Sequence, residues 1–194
     1  MKRLLPVTLA LSFVPTVVHA HPAGASLTGA VHGFTHPLFG WDHLLAMLAV
    51  GLWAAQRGGR SIWVLPATFV GVMIAGGVLG TAGISLPGVE TGILASVLVL
   101  GAFIAAAARF SLPVSATIVA VFALSHGHAH GAEMPTSVSG LSYGAGFVAA
   151  TALLHAAGVL AVTSAESRLS ARTPALLRLA GATIALAAVF LGIR

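Results

Sequence analysis

The chain has 194 residues, of which 58% are apolar and only 7% charged, and its mean hydropathy is +1.02. Soluble domains carry roughly 25% charged residues, so this composition excludes a water-soluble domain and turns the long apolar runs toward lipid or one another. The nine basic residues are scattered without the clustered face that phosphate recognition needs, which excludes nucleic acid, and the absence of cysteine excludes disulfides, thiolate metal sites and thiol nucleophiles.

In chain order, residues 1–20 combine Lys2 and Arg3, a short apolar core between Pro6 and Pro15, and Val18-His19-Ala20. This is the pattern of a secretory signal peptide with a small-residue cleavage site. Cleavage leaves a mature chain that begins at His21-Pro22, where His21 offers an imidazole and a free amine. Residues 21–35, with Gly24, Gly29, His32, Gly33 and Phe34, read as an interfacial segment rather than a span. Six apolar runs follow, at 38–56, 61–82, 89–108, 112–131, 139–163 and 174–193. Each is near the ~20 residues that a spanning helix requires. The expected fold is an all-α membrane protein, a six-transmembrane-helix bundle in which residues 21–194 form one domain.

The loops orient this bundle. Arg57 and Arg60 follow the first run, Arg109 follows the third, and Arg168 and Arg172 lie between the fifth and sixth, with Arg178 just beyond them. The loops after the second and fourth runs carry no basic residue, and on that side only Arg194 falls. The positive-inside rule makes the arginine-bearing loops cytoplasmic. The mature N-terminus is then periplasmic, as signal cleavage separately requires, the C-terminus lies on the same side, and the membrane is the bacterial inner membrane. Small residues at helix-packing spacing (Ala67, Gly71 and Ala75; Gly76 and Gly80; Gly140 and Gly144) are expected to let helix backbones approach.

Chemistry concentrates in the outer half. The chain holds four carboxylates, and Asp42 stands at the mouth of the first run in His36-Pro37-Leu38-Phe39-Gly40-Trp41-Asp42-His43. Ionisable residues at such positions are costly and face a polar pathway or a partner. Pro37 suits the first turn of a helix, with His36 as a cap. Seven residues is close to two turns, so His36 and His43 are expected on one helix face, with Met47 a turn deeper. Asp42 can ligate directly or orient His43. The second motif is His126-Gly127-His128-Ala129-His130-Gly131-Ala132-Glu133. His126 and His130 share a face at i and i+4, Glu133 lies a further turn along, and His128 points away. Glu90, at the outer start of the third run, is a candidate cap or ligand; His155, mid-membrane in the fifth, is a candidate ligand or packing residue; His32 is a further candidate. Imidazole suits first-row metals and carboxylate adds charge and hard oxygen. The ligand set leaves Ni2+, Co2+ and Zn2+ open.

Two enzyme-like or cofactor readings compete. Gly140-Leu141-Ser142-Tyr143-Gly144 matches G-x-S-x-G, but that motif needs a strand–turn–helix elbow, and here it opens an apolar run. Paired histidines on facing helices could ligate a b-type haem or serve a metal-dependent intramembrane enzyme. Asp42 and Glu133 are awkward beside haem and natural beside a divalent cation, so the expected protein is no enzyme and has no organic cofactor.

The two motifs, HPLFGWDHLLAMLAVGLWA and HGHAHGAE, resemble those of the HupE/UreJ family, membrane accessory proteins of hydrogenase and urease systems regarded as nickel or cobalt permeases. The resemblance covers the whole mature chain. It implies that His36, Asp42 and His43 carry the transport role of the first motif, and His126, His130 and Glu133 that of the second. His128 falls at a variable position, and Ser125 stands where an aromatic residue is expected. The implied substrate is a divalent metal ion, Ni2+ first, then Co2+ or Zn2+. The implied partners are the bilayer and the downstream metallochaperones of hydrogenase or urease, with room for a homo-oligomer.

Overall fold

The computed structural model describes residues 25–193. The expected signal peptide, His21 and Arg194 lie outside the described residues. Among those described, seven α-helices form the structure: α1 (Ala25–Phe39), α2 (Trp41–Arg57), α3 (Ser61–Thr81), α4 (Val89–Ala106), α5 (Leu112–Ala132), α6 (Gly140–Leu169) and α7 (Thr173–Gly192). Five of them, α3 to α7, are long and apolar enough to cross a membrane, or six spans if α1 and α2 together make one. Large apolar side chains such as Trp63, Val121, Leu141 and Leu186 lie exposed on the outward faces, as expected where lipid is the solvent.

Local chemistry sets the helix ends. Pro113 and Pro174 sit in the first turns of α5 and α7, where a missing N–H has no intrahelical partner to lose. Gly88, at φ 73°, opens α4. α6 runs 30 residues, about 45 Å at helical rise, so it continues past the expected end near residue 163 to carry Glu166 and Arg168 beyond the apolar zone.

The N-terminal half departs from expectation. Residues 21–35 read as an interfacial segment and 38–56 as one continuous span; instead a helix from Ala25 ends at Phe39, and the chain bends by 84° before α2. Pro37 lies inside the end of α1 rather than at a helix start, and it cannot donate to the carbonyl four residues back. Gly40 then takes an extended conformation as N-cap of α2.

α2 is the hub. It packs against α1, α3, α4, α6 and α7, and eight of its 17 residues are buried. Met47, Val50 and Trp53 of α2 meet Leu65 and Phe69 of α3, Leu100 and Ile104 of α4, and Phe147 of α6 in one apolar core. Glycine brings the helices together. A Cβ at Gly127 would run into the Met73 carbonyl, one at Gly76 into Leu124, one at Gly33 into Tyr143, one at Gly51 into His155, and one at Gly101 into α7. Of the small-residue positions expected at interfaces, Gly76 and Gly80 do pack on α5. Gly71 and Gly144 face open space and Gly140 meets only the Met134 side chain. Ala67 and Ala75 are exposed.

The end of the bundle remote from the histidines is tied shut by polar side chains of α2. Trp53 Nε1 donates to the Ala108 carbonyl at 3.3 Å, Gln56 Nε2 to Ile104 at 3.0 Å, and Arg57 to Phe110 at 2.7 Å. These bonds tie α2 to the last turn of α4 and to the loop that follows it.

Candidate metal centre

Four helices meet at the histidine end. α1 brings His36 in its last turn, α2 brings Asp42 and His43 in its first, and α5 brings His126, His130 and, at its C-cap, Glu133. α6 closes one side with Tyr143 and Phe147. The rings pack edge to face: His43 stands 4.3 Å from His130 and 4.8 Å from His126, and His36 stands 4.7 Å from His130, between centroids. The six residues singled out in the two motifs therefore come together. The route differs from the expected one, since His36 and His43 lie on two helices joined by a bend rather than on one face.

That bend has a chemical consequence. Asp42 Oδ1 accepts from the His43 backbone N–H and from His43 Nδ1, both at 2.8 Å. A carboxylate only accepts, so Nδ1 carries the hydrogen, and in the neutral ring Nε2 is the atom with the lone pair. Nε2 is buried and has no protein hydrogen-bond partner. This is the carboxylate–imidazole arrangement that fixes the tautomer and raises the basicity of a metal-ligating histidine. A Cβ on Gly40 would stand 3.1 Å from Asp42 Oδ1 and 3.3 Å from His43 Nδ1, so glycine at the bend leaves room for the pair.

The same reasoning assigns His126. Ser96 has one hydroxyl hydrogen, and it is donated to the Ile93 carbonyl at 2.6 Å. The Ser96 oxygen must then accept from His126 Nε2 at 2.9 Å, which leaves Nδ1 as the free lone pair in a fully buried ring. His130 is 2% exposed, and neither of its nitrogens has a partner. Burying unpaired polar nitrogen is costly, and in a membrane it marks a functional position.

At the rim, His36 Nε2 lies 3.6 Å from Glu133 Oε2, with the side chains 42% and 57% exposed. One ligand atom from each of His36, His130 and Glu133 falls within 4.8 Å of the others. Ligand atoms about 2.1 Å from one ion stand at most ~4.2 Å apart, so the three need close by less than an ångström. Two carboxylates against four imidazoles match the charge of a divalent cation. A cavity of about 590 Å³ also borders His130 between α3, α5 and α6, but its lining is apolar. The most exposed polar groups of the cluster are His36 and Glu133, at the rim.

The remaining candidates separate. His128 Nε2 donates to the Ile84 carbonyl at 2.7 Å, away from the cluster, as its spacing implied. Met47 is buried in the apolar core. Glu90 is exposed in the first turn of α4 and His32 is exposed on α1; neither belongs to the three-residue cluster. His155 is buried deeper, against Phe69. Ser125 faces Gly92 of α4, a place with no room for an aromatic ring. Ser142 lies in the first turn of α6, its N–H capped by Ser139 Oγ at 3.5 Å, so the strand–turn–helix elbow is not formed there. The imidazoles touch one another directly, an arrangement unlike two axial ligands on opposite sides of a haem plane. Sequence reasoning missed Gly40, Ser96, Phe69, Phe147 and Tyr143. Only Tyr143, the single tyrosine of the chain, carried a signal that composition could have flagged.

Fold and site together define a helical membrane protein with a histidine–carboxylate cluster enclosed at one end of its bundle. The chain belongs to the HupE / UreJ protein family, whose model matches residues 9–191. It is 44% identical over 183 residues to Protein HupE of Rhizobium leguminosarum bv. viciae, covering 94% of each chain. No solved structure matches it.

Proposed function

We propose that this protein carries a divalent first-row transition-metal cation, Ni2+ before Co2+, from the periplasm into the cytoplasm to supply hydrogenase or urease maturation. In this reading α1 and α2 together form the first of six spans, residues 1–20 are a cleaved signal peptide, and both mature termini are periplasmic. The histidine end then faces the periplasm, and His36, Asp42, His43, His126, His130 and Glu133 hold the cation there.

One observation carries the reading. His43 Nε2, His126 Nδ1 and both nitrogens of His130 are buried lone-pair or donor positions without protein partners, and they sit beside two carboxylates. A cation takes up one lone pair from each of these rings; a packing role takes up none. Imidazole with carboxylate, and no thiolate, selects a borderline divalent metal over Cu(I). The sequence has no phosphate-binding loop, so this chain alone does not drive transport with ATP, and facilitated diffusion or coupling to protons is left.

The test is Ni2+ uptake into proteoliposomes holding the purified protein, with Co2+, Zn2+ and Mn2+ as competitors. Uptake by the wild type, lost in His130→Ala while the variant still inserts and stays monodisperse, is the expected outcome. Equal uptake by His130→Ala and wild type would refute the assignment.

A further inference from the structure

The outer cluster does not account for His155. Its side chain is 2% exposed, and neither Nδ1 nor Nε2 has a hydrogen-bond partner among the described residues. It lies well inside the bundle. His155 is the sixteenth residue of α6, and its carbonyl packs on Gly51 of α2. Gly51 is eight residues beyond His43, about 12 Å along the helix axis. Side chains tilt toward the N-terminus of their helix, so the imidazole leans back from that depth toward the cluster.

Phe69 connects the two levels. Its ring centroid lies 5.5 Å from that of His126 and 5.1 Å from that of His155. An imidazole with a free lone pair thus stands against the ring at each level. One turn from His155 on α6, Thr151 Oγ1 donates to Met73 Sδ at 3.6 Å; Met73 is itself one turn from Phe69. A hydroxyl and a thioether therefore lie one helical turn from His155 and from Phe69. A buried imidazole with both nitrogens unpaired is an expensive packing residue and a ready ligand.

We propose that His155 is a second, deeper binding station for the transported divalent cation, reached from the outer cluster past the Phe69 ring. The proposal rests on the transport reading above and adds to it a place where the cation pauses before the end closed by Trp53, Gln56 and Arg57. The chemistry is ligand exchange at one ion, with no change of oxidation state. An imidazole at the outer level is replaced by that of His155, and a neutral ring is needed at each end.

The experiment uses the full chain and two probes. Co2+, whose visible d–d absorption reports nitrogen and oxygen ligation, is titrated into purified protein, and Ni2+ uptake is measured in proteoliposomes. Wild type is expected to take up two Co2+ per chain. His155→Gln keeps the size and polarity of the side chain; it is expected to bind one Co2+, at an affinity within twofold of the tighter wild-type site, and to lose at least tenfold in uptake rate. His130→Ala tests the station from the other side and is expected to retain one bound Co2+. Uptake by His155→Gln within twofold of wild type would make His155 a packing residue. Loss of all Co2+ binding in a folded, monodisperse His155→Gln would make it part of a single site; zero retained Co2+ in His130→Ala would say the same. If wild type neither binds nor transports, the carrier reading itself fails, and that is seen before any variant is made.

Discussion

Replacing Asp42 with asparagine isolates what its charge does for the cluster. Asn is nearly isosteric, so the bend at Gly40 and the packing of α2 should survive. Two effects act on metal affinity. An amide turned to donate to Nδ1 moves the hydrogen of His43 to Nε2, the atom that should ligate. The lost charge removes direct attraction as well. With Asp42 Oδ1 2.8 Å from Nδ1 and an ion about 2.1 Å beyond Nε2, the carboxylate stands roughly 6.5 Å from the metal. At an effective dielectric of about 20 that separation gives about 5 kcal/mol between a carboxylate and a divalent ion. Asp42 is 33% exposed, so solvent screening makes this an upper figure. Loss of a carboxylate partner of a metal-ligating histidine typically costs about 10–100-fold, and that is the loss expected once solvent screens the direct attraction. Calorimetric titration of Ni2+ into purified protein should show that loss, with proteoliposome uptake falling in step. Affinity within threefold of wild type, in a variant of unchanged thermal stability, would show that neither charge nor tautomer at His43 matters.

Other consequences can be checked in parallel. Gly127→Ala drives a methyl group into the Met73 carbonyl on α3 and should cost about 1–3 kcal/mol by overpacking, read as a lower midpoint in a detergent thermal-shift assay. Gly71→Ala, placed where nothing lies within 4 Å, should leave the midpoint unchanged; equal losses for the two would refute the close-approach reading. His128→Ala removes the bond to the Ile84 carbonyl and should cost about 1 kcal/mol of stability while Ni2+ affinity stays within twofold of wild type. A tenfold loss of affinity there would place His128 among the ligands after all.

The sequence by itself determined the membrane character of the chain, because sustained apolar runs have few other places to go. It also determined the approximate extents of α3, α4, α5 and α7, since a span of lipid fixes a length in residues. The identity of the clustered residues was legible too: scarce carboxylates and recurring histidines stand out against an apolar background. The shared face of His126 and His130 was legible because their relation is local, one helical turn. Tertiary structure decided what depends on partners far apart in the chain. The break at Gly40 puts His36 on a separate helix and frees Asp42 to fix His43, and no periodicity within 36–47 reports it. Ser96 sets the tautomer of His126 across 30 residues, and Phe69 meets both His126 and His155 from a third helix. Glycine spacing pointed to Gly76 and Gly80 but equally to Gly71 and Gly144, which touch nothing. A helix face cannot declare its neighbour. Only packing against α5, with Gly127 opposite, makes one glycine an interface and leaves another facing lipid.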